Sequence, residues 1–182
     1  VEKVILTNEK GERLGLEEKL WAHQLGKLHL AFSIFIFNRE GKLMLQKRAN
    51  EKYHGGGLWT NTCCGHPRET EMSEAAAKRR LREEMGFHCE MKNVGHIIYY
   101  TPVGDLFEHE YLHIFIGEYN EEPRINPEEA SDWKWTDFDF LVEDIAKNPN
   151  LYTPWLKIVL DTFDHALLRS KISVPANSGF LK

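Results

Sequence analysis

Runs of apolar and β-branched residues, broken by short polar turns, predict most of the elements of this chain. Val4 and Leu6, followed by the turn-like Asn8-Glu9-Lys10-Gly11, suggest a short strand entering a hairpin. Residues 14–23 tolerate a short helical turn, with Glu17, Glu18, Leu20, Trp21 and Ala22 all compatible with helix. Residues 28–37 (LHLAFSIFIF) read as a strand ending at Asn-Arg-Glu-Gly, and residues 43–46 supply the second arm of a hairpin. The triplet Gly55-Gly56-Gly57 marks a flexible turn before residues 58–64 return to strand-like composition.

The clearest helix lies over residues 73–85. Ser73 is placed to cap its start, Ala77, Leu81 and Met85 recur every fourth position as a buried stripe, and Gly86 stands where a C-terminal cap belongs. Strands are predicted near residues 97–100, 107–119 and 133–136. Residues 138–146 and 154–168 read as helices, the second with Pro154 at a favourable first-turn position, and the tail from Ile172 looks loop-like. Mixed strands around one prominent helix predict an α+β sandwich.

Composition narrows the class. The 182 residues suit one domain, residues 1–182, with enough chain to bury a core without staples. A net charge of -5 gives no basic footprint, so nucleic acid is not an expected partner, although a local basic pocket for an anion is compatible with it. No apolar run approaches the ~20 residues of a membrane span, and the opening residues lack the pattern of a signal peptide. Three cysteines, two of them adjacent at Cys63 and Cys64, do not form a disulfide framework; with no export signal the expectation is a reducing cytoplasm.

Chemistry concentrates after the cysteine pair. From Gly65 the chain reads GHPRETEMSEAAAKRRLREEMGF, and Gly65, Glu71, Arg79, Leu81, Glu83, Glu84, Gly86 and Phe87 fall on the spacing of the Nudix box, which this stretch resembles. Such a loop–helix–loop holds carboxylates on one face, where they bind a divalent ion that bridges diphosphate oxygens. Composition alone would make this a surface helix with Arg79–Glu83 and Arg80–Glu84 ion pairs; the full spacing with both flanking glycines favours the box. One position departs from it. Arg80 stands where Nudix hydrolases carry a glutamate that helps hold the metals activating water, which weakens hydrolysis and offers a cation to a diphosphate.

The stretch WTNTCCGHP, residues 59–67, resembles the type I isopentenyl diphosphate isomerases, which carry Thr-Asn-any-any-Cys-Gly-His-Pro just before a Nudix-like helix with this same substitution. The resemblance spans roughly residues 19–155. It implies a Nudix-like α/β/α sandwich with a mixed central sheet, in which an N-terminal segment of about 28 residues contributes to the site. It places the catalytic cysteine on Cys64 and leaves Cys63 dispensable. Glu108 and Glu110 share one face of a predicted strand, where a bound cation would relieve their repulsion. The family pairs such a strand with three histidines, matched here by His23, His29 and His66, although the six-residue step from His23 to His29 is one shorter than in one pattern of the family.

By the same resemblance Glu110 and Cys64 form the proton-transfer pair, with Tyr99 assisting. One divalent ion (Mg²⁺, Mn²⁺ or Zn²⁺) is expected at the His/Glu set, and a second, Mg²⁺, at Glu84 with the diphosphate. Lys19, Arg48, Lys52 and Arg80 match diphosphate contacts, and Trp155 matches the tryptophan lying over the isoprenoid. His54, His88, His96, His109, His113 and His165 are read as ordinary surface or core residues, and Trp21, Trp59, Trp133 and Trp135 as core or rim. The implied reaction is isomerisation of isopentenyl diphosphate to dimethylallyl diphosphate in isoprenoid biosynthesis, by a monomer or weak homodimer acting on a small diphosphate. The alternatives are a Nudix hydrolase of nucleoside diphosphate derivatives, which would not need Cys64, Glu108, Glu110 and the histidines, and a non-catalytic Nudix-like binding module.

Overall fold

A computed structural model describes residues 1–52 and 54–170. One strand organises the sheet. β3 (His29–Phe37) is buried along nearly its whole length, which is why it reads as an unbroken apolar run rather than an alternating one. Along one edge it pairs in parallel with β8 (Leu106–Glu118), from His29↔Glu110 to Phe37↔Glu118. Its other edge is shared. β1 (Lys3–Thr7) meets it at His29, β6 (Cys63–Gly65) covers Phe32 to Ile34, and β4 (Leu43–Arg48) joins it at Phe37. The sheet is completed by β2 (Arg13–Glu18) on β1, β5 (Trp59–Thr60) and β9 (Ala130–Thr136) on β4, and β7 (Met91–Val103) on β8.

Alternation along β3 sends its side chains to two cores. Phe32, Ile34 and Ile36 pack with Met44 and Phe115 beneath α2 (Ser73–Met85), which lays down Ala76, Ala77, Leu81 and Met85. Ala31 and Phe35, with Leu112, Ile114 and Ile116 of β8, face α3 (Phe138–Lys147) and α4 (Pro154–Thr162). Helices on both faces of a mixed sheet make the expected α+β sandwich of α/β/α type.

Some boundaries differ from the sequence reading. Residues 14–23 divide between the end of β2 and a short helix, α1 (Lys19–Gln24), because Arg13 to Glu18 are drawn into a ladder with β1. Ser73 does not cap α2. The cap position is Met72, in extended conformation, and no side chain there bonds the helix start. Gly86 does end α2, with φ 74°, and an added Cβ would lie 2.3 Å from the Arg124 carbonyl oxygen, so the turn admits only glycine.

Residues 154–168 are not one helix. Phe163 is extended and packs toward Gly95, and Asp164 then caps α5 (His165–Leu168) by accepting from the Ala166 N–H at 2.7 Å. β7 runs well past residues 97–100, because its polar outer positions conceal a strand zipped residue by residue onto β8. The loop expected from Ile172 lies outside the described residues.

The loop before α2 is held electrostatically. Glu71 receives two hydrogen bonds from Arg79, at 2.7 and 2.8 Å, and the Arg68 N–H at 2.9 Å. The Arg79 bonds, opposed by burial and aided by the Arg68 N–H, hold the Glu71 carboxyl down at about 2. A depressed carboxyl contributes stability that is complete above its unfolded value near 4.5 and is lost as pH falls through about 2. Discounted for solvent screening, this is about 1 kcal/mol. Acid unfolding followed by circular dichroism is therefore expected to show a loss of stability between pH 4.5 and 2 that the Glu71→Gln variant lacks; identical pH profiles would refute it.

Candidate active site

The two adjacent cysteines go to opposite sides of the sheet. Cys63 pairs with Ile34 and lies fully buried in the core under α2. Cys64 pairs with Ser33 and turns the other way, into a cavity of about 590 Å³ that Ser33 also lines. Its thiol donates to Asn61 Oδ1 at 3.2 Å and lies 3.3 Å from Ser33 Oγ. Asn61 is itself fixed by donating to the Ile34 and Cys63 carbonyls, at 3.1 and 3.0 Å. Burial pushes the Cys64 thiol up to about 11, with the Ser33 and Asn61 contacts acting in the opposite direction.

Glu108 and Glu110 reach the same cavity from β8, on the far side of β3 from Cys64. His109 between them faces away and bonds the Gly26 carbonyl at 2.8 Å. Glu110 Oε2 accepts from the Tyr99 hydroxyl at 2.7 Å, and Oε1 lies 3.1 Å from His66 Nε2 and 3.9 Å from His29 Nε2. Burial, then the charge of Glu108, raise the Glu110 carboxyl well above the usual carboxylate range. Burial opposes ionisation of Glu108 too, but His23 and His54 outweigh it and hold that carboxyl well below the usual range.

Three histidines complete the cluster. His23 and His29 each use Nδ1 against a backbone carbonyl, Lys19 O at 2.7 Å and Lys27 O at 2.8 Å. Their Nε2 atoms point inward, buried and without a hydrogen-bond partner, although His23 Nε2 approaches Glu108 Oε2 to 3.2 Å. Burial and neighbouring His23 lower His29 to about 4, and burial with the nearby Lys19 charge lowers His66 well below its usual value, so these imidazoles are neutral. Donor atoms of His23, His29, His66 and Glu110 all lie within 4.8 Å of one another. Imidazoles with Nδ1–H anchored on a backbone carbonyl and Nε2 turned inward, beside a carboxylate, are what a divalent cation takes. The residues fit such an ion.

Cations ring the rest of the cavity. Lys19, Arg48, Lys52 and Arg80 all line it, as do Glu84 and Trp155. Arg80 contacts Glu83 at 2.8 Å, Glu84 at 2.5 Å and Glu129 at 3.2 Å, while Lys52 pairs with Glu129 and Lys19 with Glu2. Glu84 also accepts from Gln46 at 2.8 Å. The Arg48 guanidinium lies 5.2 Å from the Trp155 ring centroid, and the Trp155 indole N–H donates to Thr60 at 3.0 Å.

The residues given a site role from the sequence are thus drawn to one place: His23 and His29 lie against the cavity-lining His66 and Glu110, and the others line the cavity themselves. Four participants escaped that reading. His54, read as an ordinary residue, stands 2.7 Å from Glu108; Glu129 tethers two of the cations; Ser33 and Asn61 hold the Cys64 thiol. Only Asn61, inside the Thr-Asn-any-any-Cys stretch, carried a local signal.

Residues 27–156 match the NUDIX domain. The chain is 50% identical over 161 residues to isopentenyl-diphosphate Delta-isomerase 2 of Aromatoleum aromaticum, covering 88% of this chain and 85% of that one. The chain belongs to the isopentenyl-diphosphate Delta-isomerase family. A second member, from Serratia proteamaculans, is 48% identical, with 87% of this chain and 89% of that one aligned. Family members thus align well beyond the NUDIX match. The fold is shared more widely: a Deinococcus radiodurans protein superposes with TM-score 0.73 at 17% identity, over 90% of this chain and all (100%) of its own. A MutT protein of Methanosarcina mazei superposes with TM-score 0.60 at 15% identity, over 74% and 91% of the two chains. In this chain the NUDIX segment supplies β3 to Trp155, while Lys19 and His23 come from the residues that precede it.

Proposed function

We propose that this chain interconverts isopentenyl diphosphate and dimethylallyl diphosphate by adding a proton at one carbon and removing one at another. The observation that carries the reading is that Cys64 and the Glu110–Tyr99 pair enter one cavity from strands on opposite edges of β3, beside the His/Glu cluster. An unactivated alkene must be protonated on carbon, and the resulting tertiary cation needs an acid, a base and little water.

Lys19, Arg48, Lys52 and Arg80 bind and orient the diphosphate. Glu84 holds the Mg²⁺ that accompanies it, and His23, His29, His66, Glu108 and Glu110 hold one divalent ion (Mg²⁺, Mn²⁺ or Zn²⁺). When bound, these ions neutralise phosphate charge and stabilise negative charge on the carboxylates. Glu110, hydrogen-bonded to Tyr99, delivers a proton to the terminal alkene carbon. The positive charge forms under Trp155, whose face contributes ~2 kcal/mol once water is excluded. Cys64 acts as the thiolate, a form that the Arg48 charge favours, and takes the allylic proton on the other side to become the thiol; the reverse reaction exchanges the roles.

Arg80 disfavours hydrolysis, since it puts a cation where a Nudix hydrolase has a metal-holding glutamate. Among the described residues no helix is long and apolar enough to cross a membrane, and Cys63, Cys64 and Cys89 carry free thiols. A cytoplasmic enzyme, monomeric or weakly dimeric, is the reading that suits a working thiol.

The test is incubation with isopentenyl diphosphate and Mg²⁺ in D₂O, followed by proton NMR. Deuterated dimethylallyl diphosphate, abolished by a chelator, is expected. Phosphate release from nucleoside diphosphate derivatives without alkene movement would replace this reading with the hydrolytic one.

A further inference from the structure

His54 belongs to neither the Nudix-type helix nor the histidine set that the family resemblance picked out. It sits on the loop between β4 and β5, directly before Gly55-Gly56-Gly57, and that loop also carries Lys52. Gly55 and Gly57 take positive φ, 61° and 75°, and a Cβ on Gly55 would press on Trp155 at 3.1 Å. The turn folds His54 down into the cavity rather than out to solvent.

Once there, His54 touches a component of each part of the site. Its Nε2 lies 2.7 Å from Glu108 Oε1, its ring meets Trp155 edge-on with centroids 5.5 Å apart, and its carbonyl accepts from Arg48 at 3.2 Å. Glu108 is 3% exposed, and its two oxygens are divided between two histidines, Oε2 toward His23 and Oε1 toward His54. Glu108 is also the one proposed ligand outside the set whose donors lie within 4.8 Å of one another, so it is the ligand whose aim most needs an outside constraint. His54 itself is outside that set as well.

We propose that His54 is a positioning residue that holds Oε1 of Glu108, leaves Oε2 for the cation beside His23, and links the diphosphate-binding loop to the metal centre. The inference rests on the divalent-metal reading given above. An imidazole N–H on a ligating carboxylate fixes which oxygen faces the ion, and such outer contacts are worth 10–100-fold in metal affinity. Because the same loop bears Lys52, seating of the diphosphate and the orientation of Glu108 become one event.

The experiment measures Zn²⁺ and Mn²⁺ affinity of the metal-stripped full chain by competition with a chromophoric chelator, for the wild type, His54→Ala and His54→Gln. Co²⁺ d–d spectra are recorded in parallel. His54→Ala is expected to bind each ion about 10–100-fold more weakly with an unaltered Co²⁺ band pattern, while its metal-free form still unfolds in one cooperative transition. His54→Gln, whose amide N–H can reach the carboxylate, is expected to recover most of that affinity. Equal affinity in His54→Ala and wild type would overturn the proposal and leave His54 as packing against Trp155. Weakened binding with shifted Co²⁺ bands and no recovery in His54→Gln would also overturn it, making His54 a ligand. No metal binding by the wild type would instead strike the metal centre itself, a separate outcome.

Discussion

Replacing Cys64 with alanine, or Glu110 with glutamine, is expected to lower turnover by at least ~10³-fold, while Cys63→Ser retains most of it. The contrast is sharp because the two cysteines are neighbours. Cys64 shares the cavity with Glu110, Tyr99 and Trp155, whereas Cys63 is packed among Phe32, Ile34 and Leu81. Glutamine at position 110 keeps the size of the side chain and an acceptor for Tyr99, but has no proton to give. Cys63→Ser puts a hydroxyl into an apolar core and should cost about 1–2 kcal/mol of stability without touching the reacting atoms. Steady-state isomerisation and thermal unfolding, measured on all three variants, separate the two effects. Normal turnover in Cys64→Ala would remove the thiol from the mechanism.

The second large effect is at the cation. His66→Ala should weaken divalent-metal binding by at least ~10²-fold and lower isomerisation in step with it. His66 is the ligand of choice for this test: it follows β6 in a half-buried loop, whereas His23 and His29 are wholly buried and their loss threatens the fold. Its Nε2, 3.1 Å from Glu110, is the nitrogen that would be deleted. A bound ion stabilises the folded chain by mass action, about 2.7 kcal/mol at a hundredfold excess over the dissociation constant. The melting temperature of the wild type should therefore rise on adding the ion, and that of His66→Ala should not rise at the same concentration. An equal rise in both would show that His66 is no ligand.

Much of this arrangement was legible before any coordinates. The α2 stripe Ala77, Leu81, Met85 and its glycine stop are local consequences of helical period and of a left-handed cap, and the structure has both. The buried run of β3 was equally plain. Where the reading went astray, a long-range contact had overridden local preference. Residues 13–18 became strand because β1 offered a ladder, and the helix begun at Pro154 broke where Phe163 turned toward Gly95. Glu129 and His54 were hidden for a related reason: each gains its role from a partner far away in sequence, Lys52 for one and Glu108 for the other.

Family membership, and with it the reaction, lies in the sequence by itself, because Gly65 to Phe87 and Cys64-Gly65-His66 are contiguous spacings that a single chain carries intact. Tertiary structure alone decided which face of β6 is the cavity, which carboxyl of the Glu108–Glu110 pair meets Tyr99 and which meets His54, and which histidines meet. Side-chain alternation and helical spacing are set by neighbours along the chain. Ionisation and coordination are set by burial and by charges brought within a few ångströms through space, and those exist only once β1, β3, β6 and β8 have closed around the site.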